Sequence, residues 1–109
     1  MNTGGIHRLN SPLKNYDNFN CAYRKSKEIV FEAVNLDEKS NRTDESKKRE
    51  VMDLYRKGIK QFETALKYAK MAVPLEKSDE VEKHRVAIEK NLRSTQGRLN
   101  DLGNFCKDF

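Results

Sequence analysis

One stretch near the middle of the chain constrains the fold more than any other. Between 51 and 69, Val51, Tyr55, Gly58, Ile59, Phe62, Ala65, Leu66 and Ala69 recur in steps of three and four. That spacing lines one face of an α-helix, and lysine and glutamate residues occupy the opposite side. Gly58 falls in the middle of the stretch, where glycine costs a helix about 1 kcal/mol relative to alanine. A neighbouring helix that packs close, with no side chain intervening, would offset that cost. The stretch therefore predicts a central helix packed on two sides.

Its partners lie before and after it. Ser11-Pro12 reads as an N-cap followed by proline at the first helical position, with Asp17 as a competing cap a turn and a half later. Phe19, Ala22, Ser26, Ile29, Ala33 and Leu36 form a narrow seam, widened by Tyr23, Val30 and Val34. These predict a first helix over 17–36 and leave 1–16 as a polar, glycine-containing, flexible tail. Residues 37–43 contain no apolar side chain and form the connection. Thr43 or Asp44 caps a second helix, 44–72, which stops before Pro74. Ser78 caps a third, 79–105, with Asp79 and Glu80 placing negative charge in its first turn. Val81, Ile88, Leu92, Thr95, Leu99, Leu102 and Cys106 give that helix a heptad-like seam, while Gly97 and Gly103 weaken its last turns. Short polar links between similar helices predict an all-α fold, an antiparallel up-down-up three-helix bundle over 17–106. Phe62, Ile59, Leu92 and Leu102 are expected in its core.

At 109 residues the chain is bounded to one domain with a modest core. No apolar run approaches the roughly 18 residues needed to cross a bilayer, and Met1 to Asn10 lack the apolar core of a signal peptide. The expected location is cytoplasmic, not secreted. A net charge of +5 and a pI near 9.2 favour acidic partners. Nucleic acid, an acidic peptide, and an anionic membrane or tubulin surface all qualify. The charges alternate in sign along the helices rather than clustering, which argues against nucleic acid.

Chemistry is largely missing. His7 and His84 stand apart from cysteine or acidic groups at ligand spacing, so no metal site is expected. No GxxxxGK[ST] phosphate loop is present, and the carboxylates sit on polar faces. Cys21 and Cys106 fall at opposite ends of the expected bundle. A 20-residue helix is about 30 Å long, far beyond the ~7 Å a disulfide can bridge between Cα atoms, so both read as reduced thiols. The chain is expected to bind no cofactor and to catalyse nothing.

Three segments, in order, resemble a known family. Tyr23-Arg24-Lys25-Ser26-Lys27-Glu28-Ile29-Val30-Phe31-Glu32-Ala33-Val34-Asn35-Leu36-Asp37-Glu38 resembles the first helix of the MIT (microtubule interacting and trafficking) domain, in the version carried by spastin and spartin. Tyr55-Arg56-Lys57-Gly58-Ile59 is similar to the Tyr-Lys-Lys/Gln-Gly-Ile signature of the second helix there. Asn91-Leu92, then Arg98-Leu99 and Leu102, resemble steps of the third. The resemblance spans roughly Tyr23 to Leu102. It implies a three-helix module that docks acidic amphipathic C-terminal helices of ESCRT-III subunits. Such a module brings a larger parent to endosomes, the midbody or other membrane-remodelling sites. In the spastin type the parent is a AAA ATPase that severs microtubules; in the spartin type it is an adaptor without that ATPase. The chain is accordingly expected to be an N-terminal part of a longer protein, itself monomeric and without a small-molecule substrate.

A three-helix bundle leaves grooves between neighbours into which an amphipathic helix can lay its apolar face. The resemblance points to the groove between the first and third helices. Tyr23, Lys27, Val30 and Val34 are expected to line it from the first helix, and Asn91, Arg98 and Leu99 from the third. Lys27 stands where the family usually has phenylalanine; its ammonium could pair with an acidic residue of the ligand while its stem covers apolar surface. A basic domain that binds tubulin or nucleic acid by charge, and a bundle that self-associates through its seam, are the competing readings.

Overall fold

The computed structural model describes residues 11–40 and 44–107, with side chains through residue 103. Three helices follow one another: α1, Pro12–Lys39; α2, Glu45–Ala69; and α3, Ser78–Lys107. A 3₁₀ turn at Leu75–Lys77 leads into α3, and no strand occurs among the described residues. The protein is an all-α three-helix bundle.

The helix ends differ from expectation for local reasons. The first helix begins at Pro12, not Asp17, because the Ser11 hydroxyl accepts the Lys14 N–H at 3.3 Å and Pro12 has no N–H to satisfy. Residues 12–16 are therefore helix rather than tail. Long-range bonds hold them: the buried Asn15 amide donates to the Ala72 carbonyl at 2.8 Å, and the Tyr16 hydroxyl donates to Glu80. The rest of the expected tail, 1–10 with His7, lies outside the described residues, as does Thr43. At its far end α1 runs past Leu36 to Lys39, closed by the Ser40 N–H and hydroxyl on the Asp37 carbonyl. Asp44 caps α2 by accepting the Lys47 N–H at 3.1 Å. That helix stops at Ala69 instead of Ala72, since Pro74 disfavours helical backbone at Val73 and Asn15 takes the Ala72 carbonyl. Ser78 is no N-cap: it is already helical, and its hydroxyl donates back to the Leu75 carbonyl at 2.9 Å.

Contacts between helices fix their directions. The start of α1 meets the end of α2 through Asn15 and Ala72. Near its own end, Asp37 accepts the hydroxyl of Tyr55 from the first half of α2, so the two helices are antiparallel. Met52 of α2 reaches the position of Gly103 near the end of α3, which makes that pair antiparallel as well. Tyr16 with Glu80 and Asp37 with Arg98 then show α1 and α3 parallel, completing up-down-up.

Two apolar clusters share the interior. Phe19, Ala22, Phe62, Ala65, Val81 and Ile88 form one; Ala33, Val51, Tyr55 and Leu102 form the other. Phe62 and Leu102 are buried as expected, whereas Ile59 and Leu92 are half-buried. Of the five buried α1 residues described, Ala22, Ser26 and Ala33 are small, while Asn15 and Phe19 lie near the helix start. Gly58 faces Ile29 and Val30, and a Cβ added there would overlap the Val30 Cγ2. The close approach inferred from the sequence is thus real. Helix α3 packs on α2 and touches α1 little.

Candidate functional site

Because α1 and α3 both rest on α2 but scarcely on each other, a groove of about 490 Å³ runs between them. Lys27, Val30, Phe31 and Val34 form its α1 wall, and Asn91, Ser94, Thr95 and Arg98 its α3 wall. Tyr55 and Phe62 of α2 make the floor. Each wall repeats the offsets i, i+3, i+4, i+7, which is one stripe of a helix. The α3 stripe is short and polar across its middle, and Thr95 turns its hydroxyl back onto the Asn91 carbonyl at 2.8 Å. Of this wall Arg98 alone reaches across to α1 in a hydrogen bond among the described residues, at Asp37.

Contacts between α1 and α3 cross the bundle near both ends. On one side Tyr16 bonds Glu80, and the His84 ring lies 6.3 Å from Phe19, nearly parallel, and 5.0 Å from Tyr23. On the other, Arg98 grips Asp37 with two parallel bonds, Nε to Oδ2 at 2.7 Å and Nη2 to Oδ1 at 2.8 Å. The Tyr55 hydroxyl donates to the same carboxylate at 2.8 Å. Burial pushes the Tyr55 phenol well above its ordinary range, and the Asp37 carboxylate pushes it further. The hydroxyl therefore stays a neutral donor. The hydrogen bonds to Asp37 likewise hold the Arg98 guanidinium charged, against a smaller opposing effect of burial.

The electrostatics between those ends are one-sided. No carboxylate lines the groove among the described residues. The Lys27 ammonium sits 4.3 Å above the centre of the Tyr23 ring, a cation–π contact. Such a wall suits an apolar ligand face with negative charge at its edge.

Five of the seven residues expected from the sequence line the groove: Lys27, Val30, Val34, Asn91 and Arg98. Tyr23 does not; it packs with Phe19 and His84 beside the groove, under the Lys27 ammonium. Leu99 does not either, being turned against the cluster of Ala33, Val51, Tyr55 and Leu102. Sequence reasoning missed Phe31, 68% exposed on the lip, with Ser94 and Thr95 and the floor residues Tyr55 and Phe62. The stripes 27-30-31-34 and 91-94-95-98 were the signal that could have found the wall residues.

Other sites are not in view. Among the described residues no group of three or more histidine, cysteine, aspartate or glutamate side chains gathers to hold a metal. No helix there is long and apolar enough to cross a membrane. Cys21 is a free, half-buried thiol, and the side chain of Cys106 lies outside those described.

Comparison with known proteins adds one relationship. A probable spastin homolog of Brugia malayi is 47% identical to this chain over 97 residues. Over that stretch the chain is similar to this spastin homolog. The matched stretch takes in 89% of this chain and 21% of that relative, so the chain spans about a fifth of the spastin homolog's length. The likeness to spastin therefore bears on this helical bundle. No family model matches the chain, and no solved structure matches it.

Proposed function

We propose that the bundle is an MIT-type docking module whose α1/α3 groove takes an acidic amphipathic helix from the C-terminus of an ESCRT-III subunit. The parent is a spastin-like AAA ATPase that severs microtubules, and docking recruits it in the cytoplasm to endosomes or the midbody. One observation carries this reading: an apolar furrow, floored by Tyr55 and Phe62, has a lysine on its lip and, among the described residues, no carboxylate along it. Helix-in-groove recognition needs that combination of apolar anchor sites and a charged edge. The spastin relationship supports the ATPase parent over the spartin-like adaptor. A charge-only surface for tubulin or nucleic acid is less well supported. Several exposed cations are already matched along their own helices, as in Arg56 with Asp53 and Arg85 with Glu82 and Glu89.

The test uses acidic ESCRT-III C-terminal peptides and fluorescence polarisation. Phe31→Asp is the informative variant, because Phe31 is exposed and its replacement leaves the bundle's packing alone. Helicity should be unchanged and affinity should fall at least tenfold. An unchanged affinity would move the site away from this groove.

A further inference from the structure

Resting on the docking reading above, we infer that Lys27 is the residue that reads the ligand's charge. It takes one carboxylate on the edge of the docked helix that faces α1, while Arg98 takes none. Among the described residues two cations line the groove, and they are in different states. Arg98 is committed: its planar fork matches both oxygens of Asp37, the geometry a ligand carboxylate would have to copy. Only 11% of the Asp37 side chain is exposed, and Tyr55 bonds to it as well. A ligand that drew Arg98 away would strip a largely buried carboxylate of its guanidinium.

Lys27 is uncommitted. Among the described residues its ammonium has the Tyr23 ring face as its partner and no carboxylate. A ring face engages one side of an ammonium and leaves N–H donors for an incoming anion. The stem of Lys27 lies on the same wall as Val30 and Val34, so an approaching apolar face and its neighbouring acid are met by one continuous stripe. Across the groove, Asn91, Ser94 and Thr95 carry no charge. The ligand helix that fits is therefore asymmetric. It carries apolar residues down the middle, an Asp or Glu on the α1 side, and uncharged polar or small residues on the α3 side.

Binding of an acidic ESCRT-III C-terminal peptide, and of its copy with every Asp and Glu changed to Asn and Gln, separates the possibilities. Lys27→Met keeps the stem and removes the charge. It should weaken the acidic peptide about two- to fivefold at low salt, the range of an exposed ion pair, and flatten the salt dependence. The neutral copy should bind the parent chain and Lys27→Met alike. Lys27→Glu should be rescued by a peptide carrying Lys at the pairing position. Arg98→Gln should lower the melting temperature while preserving the ratio of affinities for the acidic and neutral peptides. The inference is overturned if Lys27→Met retains the parent's salt slope, or if Arg98→Gln abolishes the acidic-to-neutral ratio. Failure of both peptides to bind the parent chain would instead remove the docking reading itself.

Discussion

Three of the buried residues of α1, Ala22, Ser26 and Ala33, are small, and the helix meets α2 at Gly58 with no room for a methyl group. Against α3, the same helix makes contact at its ends, through Tyr16, Phe19 and Tyr23 on one side and Asp37 on the other. The side chains explain the contrast. Small residues let two backbones approach until no space is left for a ligand. Long polar and aromatic residues reach across a wider gap and hold it at fixed points. Since α1 is already committed to α2, it cannot lean over to fill the gap beside α3, and the furrow persists between its two clasps. The furrow is thus the by-product of one tight seam and one clasped seam in the same bundle.

The largest effect is expected where the two seams share a residue. Phe62 belongs to the buried cluster with Phe19 and Ile88 and also floors the groove. Phe62→Ala should cost about 3–5 kcal/mol, a large part of the ~5–15 kcal/mol that holds a small domain together. Urea unfolding should show the midpoint collapse. A loss below 1 kcal/mol would mean that the floor is not packed as described.

Gly58→Ala addresses the tight seam. The added methyl gains about 1 kcal/mol of helix propensity but meets Val30, and overpacking of this kind costs about 1–3 kcal/mol. Val30 is β-branched and in a helix, so its χ1 is largely confined to one rotamer and turning away carries a cost. The net expectation is a loss of about 1 kcal/mol by chemical denaturation. Combining it with Val30→Ala should recover part of that loss, since the second change makes the missing room.

The clasp at Asp37 is sharpened by pH. In the folded chain burial and the Asp37 carboxylate keep Tyr55 protonated well above its ordinary value, whereas in the unfolded chain it ionises near pH 10. Above about pH 10 the unfolded state therefore holds fewer protons, so stability falls as pH rises. Tyr55→Phe should cost about 1 kcal/mol at neutral pH through the lost hydrogen bond. It should also decline less steeply between pH 9 and 11. Parallel stability–pH curves for the two proteins would show that the clasp does not depend on that hydroxyl.

Period and punctuation made much of this legible in the sequence. Steps of three and four gave three helices, and Gly58 gave the close pair, because a helix centre tolerates glycine only where something compensates for it. The helix ends were harder to read. Asn15 and Tyr16 draw the first turn of α1 into the fold by bonding residues 57 and 64 positions away, and no local pattern announces that. Tyr23 and Leu99 lie beside the groove lining rather than on it for a related reason. Each sits on the border of its seam, and which way it turns depends on the separation of α1 from α3. Arg98 shows the same limit: its place on the groove wall was readable, but its capture by Asp37 across 61 residues was not.

The smallest effect is expected where neither seam is involved. Gly97 lies within α3, exposed, and an added Cβ would have no atom within 4 Å. Here alanine meets no Val30. What remains is the intrinsic difference between the two residues in a helix, together with the freedom that glycine gives the unfolded chain, about 0.5–1 kcal/mol in favour of alanine. Gly97→Ala should raise the melting temperature by about 2–8 °C and leave the affinity for an acidic peptide as it was. Set beside Gly58→Ala, the same chemical change then has opposite signs in two helices of one bundle, and only the distance to the neighbouring helix separates the cases. If both substitutions destabilised, α3 would be covered at Gly97 by something packed as closely as α1 is packed at Gly58, and its outer face would be a third seam rather than a free surface.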